Sequence, residues 1–146
     1  MGKNRKVLIV ALLLLAILGL IDSVVIHEKV SGAIYASCIV GQGCDSVLYS
    51  SYSNFLGVPL SWWGIVFYSI LVLLLSFLVI GGREVLAKSI FLMITAGFIF
   101  SLYLFYIQVF KLGILCTYCM ISFSDMVLAM TLAEYSRRKT TKSLQG

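Results

Sequence analysis

The sequence predicts an all-α integral membrane protein, a bundle of four transmembrane helices with an extracytoplasmic loop or short helix as its cap. Three observations lead there. Hydrophobic residues make up 61% of the 146 residues and charged residues only 12%, with a mean hydropathy of +1.06, a balance foreign to soluble globular domains. Four largely apolar runs follow one another, each long enough to cross a hydrocarbon core of about 30 Å. The basic residues fall almost entirely on alternate connections between those runs.

The first run, roughly Val7 to Ile26, follows Lys3, Arg5 and Lys6 as a signal peptide would. It is long, and no small-residue cleavage site follows in "GLIDSVVIHEK", so we read an uncleaved helix. The segment from Glu28 to Gly57 is the one long connection, rich in glycine and serine. Within it "CDSVLYSSYSNFLG" sets Val47, Leu48, Phe55 and Leu56 among serines and tyrosines, a pattern suited to a short helix or wrapped segment at the membrane interface. "GVPL" gives a sharp entry into the second helix, Val58 to Ile80, with Pro59 tolerated near the helix start and Trp62 and Trp63 as interfacial aromatics. "GGRE" leads into the third helix, Val85 to Phe110, and "KLGILC" into the fourth, Thr117 to Tyr135. We take residues 1–136 as one transmembrane domain and 137–146 as a basic tail that frays at its end.

Nine basic residues, Lys3, Arg5, Lys6, Arg83, Lys88, Arg137, Arg138, Lys139 and Lys142, lie at the N-terminus, the second connection and the C-terminus, against Lys29 and Lys111 on the other side. This asymmetry puts both termini in the cytoplasm and the first and third connections outside. The net charge of +5 is thus a topology signal with some attraction to anionic lipid, and nothing in it points to nucleic acid.

All four cysteines then face the extracytoplasmic side. Cys116 and Cys119 straddle the start of the fourth helix, where unpaired N–H groups and the helix dipole favour a thiolate. Three residues apart, they share a helical face and suit either a disulfide or an attacking and resolving pair. Cys38 and Cys44 enclose "IVGQG", whose glycines let the backbone bend back. Two structural disulfides are the plain alternative, but a C-x-x-C loop gains little chain entropy where the bilayer already pins the chain. A four-cysteine zinc site would need a second knuckle, and this second pair has five intervening residues; no metal is expected. A thiol relay at the edge of the hydrocarbon has membrane quinones beside it as oxidants. The face of Cys116 and Cys119 continues through Met120, Phe123 and Met126 to Val127, and Trp62, Trp63 and Phe67 can supply aromatic walls to an apolar pocket.

"CIVGQGCDSVLYSS", "FLGVPLSWWGIVFY" and "CTYC", in that order on four spans, resemble the vitamin K epoxide reductase family in its bacterial and archaeal branch, over roughly Gly19 to Leu132. The resemblance implies a four-helix bundle around a quinone, ubiquinone or menaquinone. It also implies a separate thioredoxin-fold oxidoreductase as electron donor, since no thioredoxin-like domain follows the fourth helix. Residue by residue, Cys38 and Cys44 match the loop pair, Cys116 and Cys119 the active pair, and Ser50 the loop serine. Vertebrate members carry an asparagine and a tyrosine that hydrogen-bond vitamin K. Leu60 and Phe123 stand at the matching places, which predicts tolerance of either quinone and poor turnover of vitamin K epoxide. Ser61 beside Leu60 completes the expected pocket. The disulfide bond formation protein B family has its two cysteine motifs in the reverse order, and a non-enzymatic four-span scaffold is the reading from another class.

Polar groups at membrane depth are functional candidates by default. Asp22 and His27, at the outer end of the first helix, are placed to handle the protons of quinone reduction. Asp125 points away from the cysteine face at about 100° per residue, so we expect it to hydrogen-bond another helix.

The charge asymmetry makes one direct prediction. After reduction, an impermeant thiol reagent applied outside intact cells labels Cys38; labelling only once the membrane is opened would reverse the topology.

Overall fold

The structure, a computed structural model, describes residues 3–32, 54–81 and 84–144. Among the described residues the fold is helical apart from one tight hairpin. Helix α1 spans Lys3–Val30. Strands β1 (Asn54–Phe55) and β2 (Val58–Pro59) pair antiparallel, Asn54 with Pro59 and Phe55 with Val58. Helix α2 spans Leu60–Gly81 and α3 Glu84–Tyr106; a π-helical segment, Ile107–Leu112, continues α3, and α4 spans Thr117–Leu144.

Chain direction follows from the contacts. Along α1, Gly19, Ser23 and His27 meet Tyr68, Gly64 and Ser61 in turn, so α1 and α2 run antiparallel. Thr95 meets Met130 and Phe105 stacks on Phe123, which makes α3 antiparallel to α4. Tyr68 reaches Ser122 and Asp125 across the bundle. The result is an up-down-up-down four-helix bundle. Its core is apolar, with Leu71, Leu75 and Ile94 fully buried, while Leu14, Leu18, Phe77, Ile80, Leu92 and Leu128 stand on its outer surface. Such a rim of large apolar side chains matches a lipid solvent.

Among the described residues three helical stretches, Lys6–Val30, Leu60–Gly81 and Val85–Leu112, are long and apolar enough to cross a membrane. Helix α4 packs in the same bundle but is not among them. It carries Asp125 and Glu134 in its apolar part, and these lower its hydropathy. Nor does α4 end where the basic tail was expected. It runs on through 137–144, where Glu134 and Arg138, one turn apart and 3.9 Å from each other, support it.

The end of the first connection, expected as a short helix or a wrapped segment, is not helical over its described residues. Residues 54–59 form the hairpin, and its two turn residues, Leu56 (φ 55°) and Gly57 (φ 79°), both take left-handed conformations. The type I′ turn, one of the two common two-residue hairpin turns, needs that of both positions; Gly57 takes it without strain, and Leu56 does so as a residue 80% exposed. Residues 33–53, with the rest of the expected cap, lie outside the described residues.

Helices approach closely in a bilayer where small residues let them. Gly19 lies under the ring of Tyr68, so an added Cβ would collide with Tyr68 Cε1 and Cζ. Since Tyr68 is buried and hydrogen-bonded to Asp125, the ring has little room to yield. Gly19→Ala should therefore destabilise the bundle by about 1–3 kcal/mol. A lowered thermal midpoint in detergent, restored in part by Tyr68→Ala, is the expected measurement.

Candidate functional site

The site forms where α3 ends and α4 begins. The π-helical turn at 107–112 closes on Gly113, which takes a left-handed conformation (φ 64°, ψ 16°) and donates its N–H to the Gln108 carbonyl. Ile114 N–H reaches the same carbonyl at 3.2 Å. Residues 113–116 then form a non-helical joint. Met120 N–H bonds to the Cys116 carbonyl at 3.0 Å, which makes Cys116 the cap of α4 and puts Cys119 in its first turn. No disulfide is formed between them among the described residues. Cys116 is fully buried among Ile26, Val30, Leu112, Tyr118 and Cys119, and its N–H donates to the side-chain Oε1 of Gln108 at 3.1 Å.

Beside this joint lies an apolar cavity of about 380 Å³, within the usual size of a small-molecule site. From α1 come Ser23, Ile26 and Val30; from α2, Leu60, Ser61, Trp63, Gly64, Phe67 and Tyr68. Helix α3 and its π turn add Gly97, Phe100, Ser101, Phe105 and Gln108, and α4 adds Cys119, Ser122, Phe123 and Met126. Cys119 thus faces the cavity. Phe105 and Phe123 stack on each other at 4.8 Å and 15°, and both line the cavity. At Gly97 a Cβ would lie 2.5 Å from Phe67 Cζ, so the glycine leaves the space that the Phe67 ring takes beside the cavity.

Of the expected pocket residues, Leu60, Ser61, Trp63, Phe67 and Phe123 line the cavity; Trp62 and Met120 do not. Each of those two lies one residue from a lining position, and a step of about 100° turns it away. Trp62 instead meets the edge of His27 at 5.4 Å. Asp22 and His27 are not on the cavity wall either. His27 Nδ1 lies 3.3 Å from Ser61 Oγ, one hydrogen bond behind that wall, whereas Asp22 Oδ2 is buried with no hydrogen-bond partner among the described residues. Asp125 accepts a hydrogen bond from Tyr68 at 3.4 Å, the interhelical contact expected of it. Cys38, Cys44 and Ser50 lie outside the described residues.

The sequence reading missed the contribution of α3. An apolar helix offers no periodic face to read, yet Gln108 did give a signal, as an amide inside the apolar stretch "FYIQVF". Among the described residues no group of three or more His, Cys, Asp or Glu side chains is placed to hold a metal ion.

Comparison with known proteins places the chain. A family profile described as the vitamin K epoxide reductase family matches residues 10–133, most of the chain. No curated protein matches.

The burial contrast between the two sulfurs predicts unequal chemistry. With limiting N-ethylmaleimide, Cys119 should be alkylated about tenfold faster than Cys116, because access and thiolate character set the rate. Peptide mass spectrometry at timed quenches gives the ratio, and equal rates would contradict the burial of Cys116.

Proposed function

We propose that this chain, which belongs to the vitamin K epoxide reductase family, passes electrons from a protein dithiol outside the membrane to a quinone within it. The family comprises membrane thiol-disulfide and quinone oxidoreductases in general. The observation that carries the reading is the position of Cys119: it stands one turn from Cys116 at the start of α4 and forms part of the wall of the aromatic cavity.

In this reading α4 is the fourth span, both termini are cytoplasmic and the joint faces outward. The electron donor is a separate thioredoxin-fold protein whose dithiol reduces the disulfide between Cys38 and Cys44, with Ser50 in the same loop. The Cys44 thiolate attacks Cys116 of the Cys116–Cys119 disulfide and releases Cys119. Resolution by Cys38 re-forms the loop disulfide and leaves Cys116 and Cys119 as a dithiol. That dithiol gives two electrons and two protons to the quinone, ubiquinone or menaquinone, forming a quinol and restoring the Cys116–Cys119 disulfide. His27, bonded to Ser61 at the cavity wall, is the group we assign to proton exchange with the outer surface. The aromatic lining of Phe105 and Phe123 and the apolar lining of Leu60 and Met126 support a ring-bearing, weakly polar substrate.

The order of the relay is testable with purified protein in detergent. Cys38→Ala should still let dithiothreitol reduce quinone through Cys116 and Cys119 while losing turnover of the protein substrate, and Cys119→Ala should lose both. Identical behaviour of the two variants with dithiothreitol would refute the order.

A further inference from the structure

Gln108 has two sides, and the fold uses only one. Its side chain is 4% exposed and stands on the cavity wall. A backbone N–H is a donor only, so the side-chain atom that faces Cys116 N at 3.1 Å must be the oxygen, and the orientation of the amide follows. That leaves Nε2 with two hydrogens. Among the described residues no acceptor takes either of them, and Nε2 is not one of the fully enclosed polar atoms that lack a partner, so it keeps accessible surface on a residue that lines the cavity.

Its local backbone keeps it there. A π turn is frequent at functional sites, and here the Gln108 carbonyl receives both Gly113 N–H and Ile114 N–H. With its oxygens engaged on backbone and side chain alike, Gln108 has little freedom to turn its amine elsewhere. The hydroxyls that share the cavity wall are in part committed: Ser61 to His27, Tyr68 to Asp125, and Ser122 to Tyr68.

We propose that Gln108 Nε2–H donates a hydrogen bond to one carbonyl oxygen of the quinone, holding that end of the ring beside Cys119. The proposal rests on the reading of the cavity as a quinone site. It supplies the polar anchor that Leu60 and Phe123 do not. The bond strengthens as the oxygen gains negative charge during reduction, since hydrogen bonds to charged acceptors are the stronger ones. Both protons of the quinol still come from the two thiols, so Gln108 orients and polarises without giving up a proton.

The test separates the carbonyl from the ring. Full-length protein in detergent, with Cys116 and Cys119 oxidised so that no turnover occurs, is titrated with 2,3-dimethyl-1,4-naphthoquinone. Quenching of Trp63 fluorescence in a Trp62→Phe background reports binding. The hydrocarbon 2,3-dimethylnaphthalene, with the same fused rings and no carbonyl, is measured by competition. Gln108→Met should weaken the quinone about threefold to tenfold and leave the hydrocarbon unchanged. Equal weakening of both ligands, or of neither, overturns the donor role. Wild-type protein that binds no quinone overturns the quinone site itself. Gln108→Glu, which keeps an acceptor for Cys116 N–H, covers the case in which the methionine variant fails to fold. Its affinity for the quinone should fall as rising pH removes the carboxyl proton, while its affinity for the hydrocarbon stays constant; parallel changes in both overturn the proposal.

Discussion

The bundle depends on how it breaks its own helical ladder. Where a chain leaves the helix within a packed bundle, the freed N–H and C=O groups must find protein partners or stay unpaired at a cost. Between α3 and α4 the chain does leave it, over residues 113–116. Three of the four amides in that joint are received by one residue: Gly113 and Ile114 donate to the Gln108 carbonyl, and Cys116 donates to its side-chain oxygen. A helix running straight from α3 would carry no such break. The joint sets the start of α4 between Cys116 and Cys119, with the first sulfur turned inward and the second toward the cavity.

Around that joint, residue size decides where space remains. Gly19 and Gly64 let α1 and α2 close on each other, with Tyr68 over one and Ser23 against the other. Gly97 gives room to Phe67 on the facing helix. The aromatic rings of Phe67, Phe105 and Phe123 are rigid and wide, and they keep the helices apart at the level of the cavity rather than filling it. Tight contact on one side of the bundle and aromatic spacing on the other follow from the same lack of a hydrophobic drive between helices in lipid, where packing shape governs association.

Much of this was legible in the chain. Four apolar runs gave four helices in the right order, and the cysteine spacing located the head of α4. Five of the seven expected cavity residues line the cavity. The exceptions share a cause: Trp62 and Met120 lie beside true lining residues, and the absolute rotation of an apolar helix is set by its neighbours, which no local pattern encodes. For the same reason α3 contributed nothing to the expected pocket and a large share of the observed one. The hairpin at 54–59 was hidden by Leu56, since a leucine does not announce a left-handed turn as asparagine would. Asp125 and Glu134 mark the limit of the hydropathy signal. They leave α4 less apolar than the other three helices although it packs among them as an equal.

The burial of Cys116 has a kinetic meaning. A sulfur with no exposed surface cannot be attacked along the required line until its surroundings part, and here those surroundings are the joint held by Gln108. Exchange at Cys116 is then metered by local opening, and the observed rate is the intrinsic rate multiplied by the fraction of time spent open. Stray thiols and small oxidants meet a closed door most of the time. Any thiolate that attacks Cys116, whether from this chain or another, must wait for the joint to part, so the cost of distorting the joint enters the rate as much as the reactivity of the attacking sulfur.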